Sequence, residues 1–155
     1  MPRAATSVAT QTRDMHWLRS NTPADAAVTC TDVTSAMSCL AVMGPNARRL
    51  LQPLTDADLS NEAFPFGTAQ EIDLGYAKVL ALRITYVGEL GWELYIPTEF
   101  TTHVYDLIVA AGHDHGLVHA GYHATKSLRL EKGFRHWGHD ITDEDTPLEA
   151  GLGFA

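Results

Sequence analysis

The residues with the most chemical reach crowd into one stretch, Arg83-Ile84-Thr85-Tyr86-Val87-Gly88-Glu89-Leu90-Gly91-Trp92-Glu93. Its two glycines let a backbone approach a flat ligand closely and adopt positive φ. The carboxylates of Glu89 and Glu93 can accept hydrogen bonds from the N–H and amino groups of a heterocycle. The same residues also suit an ordinary hairpin with Glu89 solvated and with Tyr86 and Trp92 in the core. If Tyr86 faces Trp92, Glu93 falls on the other side with Thr85 and Arg83. An Arg83–Glu93 ion pair then competes with ligand binding as the role of that carboxylate.

A second concentration lies further on. Lys126, Arg129, Lys132 and Arg135 recur every three residues, which on a helix gives a slowly winding positive ridge. Such a ridge suits a carboxylated or anionic small molecule, and it equally suits a solvated helix face. His119 and His123 have i, i+4 spacing, with His113 and His115 near. No His-Glu-x-x-His arrangement accompanies them, and Gly121 weakens the helix that would align them, so no metal site is expected. In His136-Trp137-Gly138-His139-Asp140 a carboxylate could orient an imidazole, but no nucleophile sits beside it, and polar loop structure is the simpler reading. No Gly-x-Gly-x-x-Gly follows a strand and no phosphate-binding loop is present, so the chain carries no flavin or nicotinamide site of its own.

The elements that must position these groups are partly legible. Leu80, Leu82, Ile84 and Tyr86 alternate with Ala81, Arg83 and Thr85, and Trp92, Leu94 and Ile96 repeat the pattern. Two alternating runs about a glycine-bracketed five-residue loop predict a β-hairpin. Residues 28–33 and 39–43 read as further strands. A helix is predicted over 11–19, with Met15 and Leu18 on one side. A short one is predicted after Gly44-Pro45-Asn46, with Leu50 and Leu51 buried and Pro53 closing it. Thr98 caps a third helix whose Val104, Leu107, Ile108 and Ala111 form a buried stripe ending at Gly112. A fourth spans 122–132 with Gly133 as its C-terminal stop. The turn-rich segment 55–67 has no periodicity. Strands and helices mix without regular βαβ alternation, which predicts an α+β domain of mainly antiparallel strands with flanking helices.

The totals set the outer bounds. At 155 residues, 45% hydrophobic and 19% charged, the chain is the size of one domain with a real core. A net charge of −8 disfavours nucleic-acid binding. No apolar run reaches the ~18 residues of a membrane helix, and Met1-Pro2-Arg3-Ala4-Ala5-Thr6 lacks the apolar stretch of a secretory signal. Cys30 and Cys39 are too few for a disulfide scaffold and read as small core residues in a reducing, cytoplasmic compartment.

Four ordered motifs carry a family resemblance. Tyr86-Val87-Gly88-Glu89-Leu90-Gly91-Trp92-Glu93-Leu94-Tyr95-Ile96-Pro97 resembles the tyrosine–glycine–glutamate signature of the glycine-cleavage T-protein (aminomethyltransferase) family. Ser127-Leu128-Arg129-Leu130-Glu131-Lys132-Gly133 resembles its second signature. His136-Trp137-Gly138-His139-Asp140-Ile141 and Thr146-Pro147-Leu148-Glu149-Ala150-Gly151-Leu152 extend the match. The His-Trp pair, the lysine after Leu-Glu and the segment 56–66 are most similar to the carboxyl-terminal module of dimethylglycine and sarcosine dehydrogenases.

The resemblance implies a partial folate-binding fold over 11–155, behind a disordered extension at 1–10. In the complete protein a flavin domain oxidises an N-methyl amine to an iminium species. The module then brings tetrahydrofolate to it, giving methylenetetrahydrofolate. Tyr86, Glu93 and Arg129 match the residues that line the folate site, with Glu93 on the pteridine's donors and Tyr86 and Arg129 positioning ring and tail. The family's catalytic aspartate and terminal barrel have no counterpart in the matched segment, so the chain is expected to be inactive alone. FAD is expected only through a further domain or partner, and self-association through exposed apolar edges is expected as well. The alternative reading is a non-catalytic folate-binding module with a regulatory or interaction role.

Overall fold

The computed structural model describes residues 4–153 and divides into two compact units, Met1–Ser35 and Ala36–Ala155. The extension expected at 1–10 falls partly outside the described residues, and Val8–Thr10 forms a 3-10 turn. The helix expected next is present as α1 (Gln11–Ser20). Asp14 in its first turn accepts hydrogen bonds from Thr6 and Thr10, which with Arg13 hold its carboxyl down at about 2. None of its residues is buried, so the expected inward stripe of Met15 and Leu18 has no core beneath it. The strand expected at 28–33 is absent. That stretch is irregular, and Val28 and Val33 lie exposed. The segment has no partner strand among the described residues, and without a ladder an extended segment leaves its backbone groups to water.

The second unit holds the sheet. Strands β1 (Met37–Met43), β2 (Ala69–Leu74), β3 (Ala77–Leu82) and β4 (Gly91–Pro97) form one antiparallel sheet in the order β1-β4-β3-β2. Helices α2 (Ala47–Leu51) and α3 (Thr101–Gly112) cover one face, and α4 (Tyr122–Glu131) follows. This is the α+β architecture expected from the pattern of elements. Because side chains alternate along a strand, Trp92, Leu94 and Ile96 of β4 seal into the core with Val79 and Ala81 of β3 and Ile72 and Leu74 of β2. Leu50 and Leu51 of α2 and Val104 and Ile108 of α3 close that core from above. The other face carries Glu93 and Tyr95, flanked by Leu80 and Leu82 of β3 and by Cys39 and Ala41 of β1 in the paired positions, and it is left open.

Both cysteines correct the expectation of core residues. Cys39 points to the open face of edge strand β1 and is exposed, and Cys30 is half-buried in the first unit.

The segment 55–67, which has no pattern of its own, is fixed by side chains reaching in from regular elements. Arg48 Nε donates to the Leu59 carbonyl at 2.7 Å, and Gln52 both donates to Ala57 O (2.8 Å) and accepts from Leu59 N–H (3.0 Å). Arg83 donates to Phe64 O and, with Arg48, to the single Oδ1 of Asn61. Leu59 and Phe64 are thereby driven to full burial, and Phe64 meets Trp92 edge-on at 6.0 Å.

These roles predict an asymmetry across the sheet. Leu94→Ala on the sealed face should cost about 2–5 kcal/mol, whereas Leu80→Ala on the half-exposed face should cost well under half of that. Urea unfolding followed by circular dichroism measures both. Equal losses would mean that both faces are covered.

Candidate functional site

The hairpin expected around Val87-Gly88-Glu89 opens earlier than its sequence reading has it. Pairing between β3 and β4 runs from Leu80↔Tyr95 to Leu82↔Glu93 and stops there, so the connection is the eight-residue segment 83–90. Arg83 leaves the ladder because its backbone pairs with Gly67 and Thr68 and its guanidinium holds the 61–64 turn. The anticipated Arg83–Glu93 ion pair therefore does not form. Tyr86 is likewise not a strand residue facing Trp92. It sits half-buried in the loop while Trp92 is fully buried.

The loop leans on the end of α4. Gly88 has φ +72°, and a Cβ there would lie 2.5 Å from Lys132 Cγ and 2.8 Å from the Phe134 ring, so only glycine permits the approach. Glu89 pairs with Lys132 at 2.8 Å, which raises the lysine's pKa. Helix α4 ends as its sequence predicts. Gly133 at φ +72° lets its own N–H bond to Leu130 O and the Phe134 N–H to Arg129 O, the two bonds of a Schellman stop. The following chain turns back over the helix.

That return surrounds Arg129, which is 2% exposed. Its Nη1 donates to Phe134 O at 2.8 Å and pairs with the Asp140 carboxylate. The same Asp140 oxygen accepts the His136 backbone N–H at 2.8 Å. The arginine hydrogen bond first, and then this backbone N–H, hold the Asp140 carboxyl below its ordinary value. Asp140 thus orders the loop through a backbone group and not by orienting an imidazole. The Arg129 guanidinium lies 6.0 Å from the Tyr86 ring centroid, and the His136 ring stands edge-on to Tyr86 at 6.3 Å. Lys126 Nζ is 3.1 Å from His136 Nδ1. Burial, followed by Lys126, His139 and Arg129, lowers the His136 pKa against the opposing pull of Asp140. The ridge of four cations is therefore only in part a solvated face: Arg129 is buried, Lys126 meets His136, and Lys132 meets Glu89.

Glu93 occupies a different place. Its half-exposed carboxylate accepts the Tyr95 hydroxyl at 3.0 Å on the open sheet face, opposite Ala41 on one side and Leu82 on the other. Partial burial, then Glu93, raises the Tyr95 pKa. The structure brings Tyr86 and Arg129 together. Among the described residues no hydrogen bond or ring contact links either to Glu93. Sequence reasoning missed Asp140 as the partner of Arg129, and Tyr95 as the partner of Glu93. The second was available from period two along β4; the first depends on a loop path that no spacing rule gives. A cavity of about 420 Å³ is lined by Phe134, Arg135, Asp140, Asp145 and Glu149 among others, and not by Tyr86 or Glu93. Its carboxylates are engaged with Arg129 and with the Thr142 and Thr146 turns, and such an acidic lining does not suit an anion. Among the described residues no group of three or more His, Cys, Asp or Glu could hold a metal ion, and no helix is long and apolar enough to cross a membrane.

Comparison with known proteins follows the same lines. Residues 3–155 match the GCVT N-terminal domain model. Mouse (Mus musculus) mitochondrial sarcosine dehydrogenase is 50% identical over 123 residues, 79% of this chain and 13% of that protein. Mouse mitochondrial dimethylglycine dehydrogenase is 45% identical over 121 residues, 78% of this chain and 14% of that protein. The aminomethyltransferase of Bacillus velezensis is 41% identical over 143 residues, 92% of this chain and 38% of that protein. Among solved structures, a heterotetrameric sarcosine oxidase from Corynebacterium sp. U-96 shares the fold, with a TM-score of 0.54 at 23% identity over 63% of this chain and 49% of that chain. The chain belongs to the glycine-cleavage T-protein family, as its four motifs predicted, and it spans well under half the length of these curated relatives.

The Arg129–Asp140 pair gives a pH signature. Because the Asp140 pKa is depressed in the folded chain, its contribution to stability is present above the unfolded carboxyl value of about 3.9 and is lost as pH falls through the lower folded value. Asp140→Asn should lower Tm at pH 7, with the gap to wild type narrowing below about pH 4. A gap independent of pH would show that the carboxylate charge does not hold the loop.

Proposed function

We propose that this chain supplies the tetrahydrofolate-binding surface of an aminomethyltransferase-type module. The complete assembly would transfer a one-carbon unit from an N-methyl amine, of the sarcosine or dimethylglycine kind, to tetrahydrofolate. One observation carries the reading: Glu93 presents a carboxylate from the interior strand of the sheet onto an open, half-apolar face. A pterin is flat and has a row of N–H and amino donors along one edge. Leu80 and Leu82 offer surface to such a ring, and Glu93, steadied by Tyr95, offers an acceptor for its donors. Tyr86 and Arg129 match the other two residues implied by the family, and their mutual contact makes them one unit, with Arg129 backing the tyrosine ring.

Oxidation of the amine needs an electron acceptor. The dehydrogenase relatives are far longer than this chain, and a flavin-bearing domain or subunit is the partner that the reading requires. FAD would be held there, and tetrahydrofolate here. The compartment expected from the sequence is the cytoplasm, whereas the names of the two dehydrogenase relatives include the mitochondrion.

Titration with tetrahydrofolate, followed by tryptophan fluorescence, tests the reading. Saturable binding is expected, weakened about 10- to 100-fold by Glu93→Ala, the equivalent of losing a charged hydrogen bond of about 1.5–3 kcal/mol. Tyr86→Ala should give a smaller loss. A folded wild-type chain that shows no saturable binding overturns the assignment.

A further inference from the structure

The cationic cluster beside Tyr86 is out of balance. Four groups that carry or can carry positive charge, Lys126, Arg129, His136 and His139, converge there. His136 and His139 have ring centroids 4.4 Å apart, and Lys126 lies within hydrogen-bonding distance of His136. Asp140 is the one carboxylate in hydrogen-bonding contact with this group among the described residues, and it already serves Arg129 and the His136 backbone. In a chain with a net charge of −8, acidic side chains are plentiful, yet among the described residues none makes an ion pair with Lys126, and Asp140 acts on it only without direct contact.

Arg129 cannot fill the role of surface anion receptor in this arrangement. It is sealed from solvent, its charge is matched by Asp140, and its Nη1 is bound to the Phe134 carbonyl. A ligand anion reaching it would have to displace that carboxylate, whose side chain is 32% exposed, from a guanidinium that is itself sealed from solvent. Lys126, one turn earlier on α4, is half-buried and has its ammonium over the Tyr122 ring at 5.3 Å.

We propose that Lys126 and His136 form a carboxylate-binding pair beside Tyr86, with Arg129 positioning Tyr86 and the return loop behind it. The ammonium donates to the lone pair at His136 Nδ1, which leaves the imidazole proton on Nε2. A carboxylate seated between the two accepts from the ammonium and from the Nδ1–H of the protonated imidazole, while Nε2–H faces the opposite side of the ring. An arriving carboxylate also restores the missing negative charge. It opposes the influence of Lys126, His139 and Arg129 on His136 and adds to that of Asp140. Binding should therefore raise the His136 titration point and strengthen as pH falls through it. Two sources have this chemistry, the glutamyl tail of a folate and the carboxylate of an N-methyl amino acid. Assignment to the folate tail rests on the function proposed above; the pair itself does not.

The test uses the full chain and five probes, with His136 imidazole resonances followed by NMR and affinities by calorimetry. Glutarate, which has carboxylates and no pterin, should shift the His136 signal saturably and raise its titration point, and Lys126→Met should abolish both effects. Lys126→Met should weaken 5-formyltetrahydrofolate about tenfold, the equivalent of one charge-assisted contact, and leave tetrahydrobiopterin, which has no carboxylate, unchanged. Folate dependence of this kind assigns the tail as the source. Saturation by sarcosine with equal folate affinity in wild type and variant assigns the amino acid. A glutarate response without any pterin binding keeps the pair and removes the folate reading. The proposal is overturned if glutarate leaves His136 unmoved, if inorganic phosphate matches glutarate, or if Lys126→Met weakens tetrahydrobiopterin as much as the folate.

Discussion

The register of β4 is the constraint on which the rest depends. The strand lies between β1 and β3, so its alternation is set from both sides. Gly91 fixes where it starts. A Cβ at that position would meet the Val42 carbonyl at 2.4 Å and Met43 Cα at 2.8 Å, both backbone atoms that cannot step aside. Only glycine lets β4 enter beside the end of β1 with Gly91 opposite Met43. From there period two places Trp92, Leu94 and Ile96 inside and Glu93 and Tyr95 outside. A slip of one residue would exchange the two sets, burying a carboxylate and exposing an indole, and neither is tolerable in a small core.

The second organising unit is electrostatic and local. Loop 83–90 meets the end of α4 through Gly88 and the Glu89–Lys132 pair, and α4 in turn holds the return loop through Arg129 and Asp140. Tyr86 is positioned by this circuit and not by the sheet. Its guanidinium and imidazole neighbours come from α4 and from the segment after it, which couples the order of the C-terminal loop to the position of a candidate ligand-binding ring. The sheet face and the loop cluster thus have separate supports, and the family reading asks them to serve one ligand.

Much of this was legible in the sequence because the informative residues obey simple periods. The alternation of Trp92, Leu94 and Ile96 gave β4 and its buried face, the stripe of Val104 and Ile108 gave α3, and Gly133 gave the end of α4. Other features were not legible. Strand β2 has only Ile72 and Leu74 on its inner face, with Gln70 completing the alternation, and its turn is Gly75-Tyr76, which lacks the usual asparagine or aspartate signal. Tyr86 continued the β3 pattern in sequence but not in space, because Arg83 is pulled away by the segment 61–68. The strand expected at 28–33 showed how little a short run decides without a neighbouring strand. The motifs named the family, but the partners of two of its three implied site residues, Asp140 and Tyr95, had to come from the structure.

The central claim, that the open face around Glu93 and the loop around Tyr86 form one folate-binding surface, is tested most directly by chemical-shift mapping with 5-formyltetrahydrofolate. The account predicts saturable shifts at the backbone amides of Glu93, Tyr95 and Leu82 together with Tyr86 and His136, all with one dissociation constant. Shifts confined to one of the two groups, or lying on the α2 and α3 side of the sheet, would contradict it.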